Sequence, residues 1–167
     1  MASQVGFKHV YDNVRRGRYQ THEDLRHDFL NALENEIAKC PSRARGKVLT
    51  AALEYLIGRR KADIRIGNVL FELDVPPRQE EGITQDKRCQ LDDYMAGFIK
   101  KHKAMTVYGV VTNGWFLEVY ERSISNPLIS GEFLRGAEFL VNLLCVKLSK
   151  IDIFEATDFT SIFGLWR

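Results

Sequence analysis

Three acidic residues, Asp63, Glu72 and Asp74, fall within one short stretch running from Lys61 to Asp74. The stretch divides at Gly67-Asn68, a dipeptide suited to a two-residue primed turn, and its two alternating runs read as a β-hairpin. A two-residue loop sets the register: Ile66 faces Val69, Ile64 faces Phe71, and Asp63 faces Glu72. Alternation then places Ala62, Ile64, Ile66, Val69, Phe71, Leu73 and Val75 on one apolar face, and Asp63, Arg65, Leu70, Glu72 and Asp74 on the other. Facing carboxylates repel and weaken a sheet. A bound divalent cation is the usual reason for a fold to keep such a cluster. The plainer alternative is a solvated strand face neutralised by Arg65.

The flanking segments must position this hairpin. Residues 1–19 end in Arg15-Arg16-Gly17-Arg18 and read as an irregular basic arm. Thr21 is a helix cap with Asp24 in capping-box position, and Leu25, Phe29, Leu33 and Ile37 follow at four-residue spacing as the buried stripe of a helix to about Lys39. Glu23 lies in its first turn, where an acid complements the helix dipole. After Pro41-Ser42 a second helix is expected from Gly46-Lys47, with Val48, Leu49, Ala52, Leu53 and Leu56 inward and Gly58 as its stop. Pro76-Pro77 ends the hairpin, and Arg78 to Ile83 is a polar loop. Thr84 caps a third helix to about Lys103, with Leu91, Tyr94 or Met95, Phe98 and His102 buried. Lys87, Gln90, Tyr94 and Lys101 lie along an adjacent face. Val107–Thr112 reads as a buried strand, Asn113-Gly114 as a turn, and Trp115–Tyr120 as the partner strand. Asn126-Pro127 marks a further turn before a last amphipathic helix from Glu132 to about Leu148. Helices enclosing strands in this order imply an α/β fold of the α+β type, a mixed central sheet flanked by helices.

A chain of 167 residues with 45% apolar and 28% charged residues is long enough for one domain with a core of its own. The net charge of +2 announces no nucleic-acid binding, although Arg43, Arg45 and Lys47, and Lys100, Lys101 and Lys103, form local clusters that suit phosphate contacts or plain solvation. Three cysteines, Cys40, Cys89 and Cys145, have no metal-ligand spacing and fit reduced thiols, and hence a cytoplasmic location, better than a disulfide framework. His9, His22, His27 and His102 have no metal-ligand spacing either. No apolar run is of membrane-spanning length, so no membrane partner is expected. The aromatic tail 151–167 is expected either to pack as a lid or to lead to a further domain.

The order of acids and helices resembles the PD-(D/E)XK nuclease superfamily, whose site is an acid on one strand and an acid-X-lysine triplet on the next. Asp63 matches the first position and Glu72-Leu73-Asp74 the triplet. Gln90-Leu91-Asp92-Asp93-Tyr94 fits the Gln-x-x-x-Tyr pattern found in RecB-like nucleases and in the motor subunits of type I restriction enzymes. Thr21-His22-Glu23-Asp24-Leu25-Arg26 is similar to the first helix of those subunits, and Val110-Val111-Thr112-Asn113-Gly114-Trp115 to their later hairpin. The resemblance spans roughly residues 20 to 120. It implies a restriction-endonuclease-like fold and hydrolysis of phosphodiester bonds in double-stranded DNA with Mg²⁺ or Mn²⁺. Asp63 and Glu72 would hold the ion, with Glu23 adding a contact through water. Gln90 and Tyr94 would position the backbone or brace the site.

The departure from the pattern is Asp74, where the family usually has lysine. Asp74 is then a further metal ligand, or Lys87 supplies the cation from the helix, or the site no longer cuts. The expected function is the nuclease domain of a restriction-modification enzyme, joined to translocase or methyltransferase modules. The alternatives are a non-catalytic DNA-binding module that keeps the fold, and an assembly domain whose acids are surface charge.

Overall fold

The hairpin forms the expected pairs Ile64–Phe71 and Ile66–Val69, but its ladder ends there, so Asp63 and Glu72 are not the facing strand pair expected; Gly67 takes the left-handed φ of 59° that its turn requires. A computed structural model describes residues 6–40, 52–57 and 60–149. Among these residues the chain runs α1 (Phe7–Arg15), α2 (His22–Ile37), β1 (Ala52–Ile57), β2 (Arg60–Ile66), β3 (Val69–Leu73), α3 (Gln85–His102), β4 (Tyr108–Thr112), β5 (Phe116–Glu121), β6 (Pro127–Glu132) and α4 (Phe133–Ser149). The strands form one mixed sheet in sequence order; only β3 and β4 pair in parallel, with α3 as the crossover between them. The fold is thus the expected mixed sheet flanked by helices.

Each face of the sheet carries its own core. On one face α1, α2 and α4 pack together over Ile64, Ile66, Val69, Phe71 and Leu73. Phe29 of α2 meets Phe71 edge-on, with ring centroids 6.0 Å apart, which seats α2 on the hairpin. On the other face α3 covers Leu70 and Val111 with Leu91, Tyr94, Met95 and Phe98. Gly109 of β4 lets it lie close: a Cβ there would come within 2.6 Å of Met95 Sδ. Helices α2 and α3 both start at sequence-coded caps. Thr21 and Asp24 form the full capping box at the head of α2, and Thr84 Oγ1 accepts from the Lys87 N–H at the head of α3; such caps are worth about 1 kcal/mol each.

Several expectations are corrected. Residues 7–15 are a helix rather than an arm, because Phe7, Val10 and Val14 form a buried stripe whose spacing the nearby arginines obscured. The basic run marks its end, where Gly17 adopts a φ of 64°. Ala52, Leu53 and Leu56 belong to an edge strand instead of a helix; short apolar runs fit both periods, and pairing with β2 decides the matter. Val48, Leu49, Gly58 and the tail 151–167 lie outside the described residues. Pro127 opens strand β6 rather than only marking a turn, a position proline tolerates at a sheet edge. On the hairpin, Ala62 packs with the α3 cluster instead of sharing a face with Ile64, and Val75 is 40% exposed. Cys40 and Cys145 are joined as a disulfide, with Cα atoms 5.6 Å apart, and so are not the reduced thiols expected; Cys89 is free and exposed. No helix among the described residues is long and apolar enough to cross a membrane.

Candidate functional site

The carboxylates of the hairpin lie just beyond its last paired rung. Strand pairing runs from Ile66–Val69 to Ile64–Phe71, and the Asp63 carboxylate then takes over the role of a ladder acceptor, with Oδ2 2.7 Å from the Leu73 N–H. Glu72 follows on β3, 4% exposed, with its side chain toward α3. Asp74 comes just after the strand. Its N–H donates to Thr112 O, and its Oδ1 accepts from the Val75 N–H.

Two helix heads close on these acids. The cap at Thr84 puts Lys87 in the first turn of α3, where its Nζ lies 2.9 Å from Glu72 Oε1 and 3.5 Å from Gln90 Oε1. The capping box at Thr21 puts His22 in the first turn of α2, where its Nε2 lies 3.8 Å from Asp63 Oδ1. Arg26, one turn later, adds positive charge near the same carboxylate.

Burial sets the electrostatics. It raises the Asp63 carboxyl above the ordinary range, against the Leu73 N–H and the charges of His22, Lys87 and Arg26. It pushes Glu72 up to about 7, with the neighbouring charge of Asp63 adding to the shift and Lys87 opposing it; Asp74 adds further. Burial would lower the Lys87 ammonium, but the hydrogen bond to Glu72 and the charges of Glu72, Asp74 and Asp63 outweigh it and raise this group. The second Glu72 oxygen, Oε2, is buried without a hydrogen-bond partner. A buried carboxylate oxygen left in that condition is costly, and its lone pairs can take a donor or a cation.

The structure therefore brings Asp63, Glu72, Lys87 and Gln90 together, with Asp74 near enough for its charge to act on Glu72 and Lys87. Two further expected residues border this group. Glu23 is exposed and lines a polar cleft of about 420 Å³ with Asn13, Arg18, Tyr19, Asp24 and Asp28; its Oε1 lies 3.9 Å from the His22 Nε2 that faces Asp63. Tyr94, one turn beyond Gln90, is 6% exposed within the apolar cluster under α3. His22 and Arg26 were not among the sequence candidates. Their only sequence signal is a shared helix face directly after the cap.

A second buried acid occupies the same rung of the sheet. Glu72 pairs with Val111, Val111 with Glu118, and Glu118 with Ser130 across β3, β4, β5 and β6. Glu118 receives a bidentate pair from Arg88, at 2.7 Å from Nε and 3.0 Å from Nη2, and a hydrogen bond from Ser130 Oγ at 2.8 Å. Burial alone would raise it, but these donors prevail and hold it below the ordinary range.

Among the described residues, no group of three or more His, Cys, Asp or Glu side chains is disposed to hold a metal ion. Mg²⁺, however, binds through one or two carboxylates and otherwise keeps water. Two repelling acids, one with an unpartnered buried oxygen, fit that demand. Scans against protein-family models, curated proteins and solved structures find no match to this chain.

Proposed function

We propose that this chain is a Mg²⁺- or Mn²⁺-dependent endonuclease of the PD-(D/E)XK kind that hydrolyses phosphodiester bonds in double-stranded DNA. The observation that carries the reading is the Lys87 ammonium on one oxygen of Glu72 while the other buried oxygen has no partner. Asp63 and Glu72 would hold the ion, which supplies Lewis acidity and an activated water when bound. Hydrolysis adds a water oxygen to phosphorus and breaks one bridging P–O bond, and the transition state gathers negative charge on the phosphoryl oxygens. Lys87 provides the positive charge that the acid-X-lysine triplet lacks, since Asp74 stands at the lysine's place. Gln90 steadies that ammonium, and His22 and Arg26 do the same for Asp63 from the other helix.

A non-catalytic DNA-binding module is the second reading, favoured by the same ion pair: Lys87 neutralises Glu72 and occupies one of its oxygens. Incubation with supercoiled plasmid and Mg²⁺ or Mn²⁺ separates the two. Metal-dependent nicking or linearisation supports the nuclease; salt-sensitive binding with no cleavage supports the binding module. Within the first reading, the domain serves a restriction-modification system beside translocase or methyltransferase modules, in the cytoplasm. The Cys40–Cys145 bridge is the observation that argues against that compartment, where thiols are kept reduced.

A further inference from the structure

Lys87 and Arg88 are consecutive in the first turn of α3, yet they reach different strands. Lys87 goes to Glu72 on β3 and Arg88 to Glu118 on β5. Glu72 and Glu118 flank Val111 of β4 on one rung, two strand spacings apart, which is roughly 10 Å. The first turn of α3 thus straddles β4 like a fork. Its two arms differ in rigidity. The Arg88 arm is bidentate and planar, and its acceptor is held from the far side by Ser130 of β6. The Lys87 arm is a flexible stem with one contact on Glu72 and a long one to Gln90.

We propose that Arg88 and Glu118 are a positioning pair that sets the rotation of α3 on the sheet and so places the Lys87 ammonium on Glu72. Two observations make this more than a local ion pair. A single rung aligns both acceptors, so any roll of α3 about its axis moves both cations in register. The cap from Thr84 is long, at 3.4 Å, and leaves the rigid Arg88 fork as the tightest polar tie at the head of the helix. The catalytic role of the placed ammonium rests on the nuclease reading above; the placement itself does not.

The test uses the Arg88→Gln/Glu118→Gln double variant, which replaces the ion pair by two amides of similar shape and leaves no buried charge unpaired. The Lys87 ammonium is followed as its ¹H–¹⁵N signal, assigned by its disappearance in Lys87→Met. In the wild-type chain the signal is expected to be protected from solvent exchange by the contact with Glu72. In the double variant it is expected to broaden into exchange, and kcat for plasmid cleavage to fall roughly 10- to 100-fold at unchanged KM, the scale of a misplaced catalytic group. Ser130→Ala, on the edge strand, loosens the same arm more gently and should show a smaller loss of both. A folded double variant, or Ser130→Ala should the double variant not fold, that keeps the protected Lys87 signal would overturn the positioning role. A wild-type chain that never cuts DNA yet loses the signal on substitution would remove the nuclease reading and leave the positioning intact.

Discussion

Glu72 and Glu118 sit on one rung of the sheet, are equally hidden from solvent, and each meets a cation from the first turn of α3, yet their carboxyl groups are pushed in opposite directions. Glu118 has both oxygens satisfied by Arg88 and Ser130 and is held below the ordinary range against its burial. Glu72 has one oxygen on Lys87, the other unpartnered, and two further acids nearby, and is raised to about 7. Solvent exposure is the same, but Glu72 lies deeper among protein atoms, so heavier desolvation acts on it together with fewer donors and more neighbouring negative charge. A fully satisfied acid holds a fold together. An acid left short of donors beside other acids is suited to take a ligand, and that contrast is the physical basis for proposing a ligand site at Glu72.

The largest expected effect falls on cleavage. Glu72→Gln and Asp63→Ala should each lower the plasmid-cleavage rate about 10²- to 10³-fold, the scale seen when one electrostatic group is removed from an active site. A variant cutting at the wild-type rate would remove that residue from the site. The comparison breaks if Glu118→Gln costs as much cleavage as Glu72→Gln does.

Stability should show the reverse ranking. Glu118→Gln takes the charge from a buried, bidentate pair and should lower unfolding free energy at pH 8 by about 3 kcal/mol, read by chemical denaturation. Glu72→Gln should raise it at the same pH, by on the order of 2 kcal/mol after allowing for the lost Lys87 contact. The signs follow from linkage. Between the ordinary value of 4.5 and about 7, the folded chain holds the Glu72 proton more tightly than the unfolded chain does. This group's contribution to stability therefore falls as pH rises through that window. For Glu118 the contribution is present above the unfolded carboxyl value and is lost as pH falls through its lowered folded value. Two variants that destabilise alike at pH 8 would contradict the contrast.

The smallest effect is expected at Asp74. If Lys87 already supplies the missing positive charge, Asp74→Lys should change cleavage by less than about tenfold in the wild-type chain, yet restore activity to Lys87→Ala, since an ammonium needs only to reach the developing charge. A large gain in the wild-type background would show that the native site is attenuated and that Lys87 is no substitute.

Much of this was legible in the sequence because it is local. Gly67-Asn68 sets the hairpin register, Thr21 with Asp24 and Thr84 mark two helix heads, and the stripe from Leu91 to Phe98 marks a buried helix face. The strands that carry Asp63 and Glu72 and the helix turn that carries Lys87 could accordingly be placed from sequence. Apart from α1, whose local stripe the nearby arginines obscured, what was missed depends on long-range packing. Ala52–Ile57 becomes a strand only by pairing with β2, and Pro127–Glu132 only by pairing with β5. The Cys40–Cys145 bridge joins residues separated by 105 positions. His22 approaches Asp63 only once Phe29 has docked α2 on Phe71. The pairing of Arg88 with Glu118 needs the crossover of α3 above β4, which no local pattern encodes.

The most direct measurement is a carboxyl ¹³C titration of Glu72 and Glu118 in the same sample, first without divalent ions and then with Mg²⁺. Without metal, Glu72 should titrate near 7 and Glu118 below its ordinary value. With Mg²⁺, the Glu72 midpoint should drop, because a bound cation favours the carboxylate, while Glu118 should not respond. Two glutamates that both titrate low and both ignore Mg²⁺ would contradict the account.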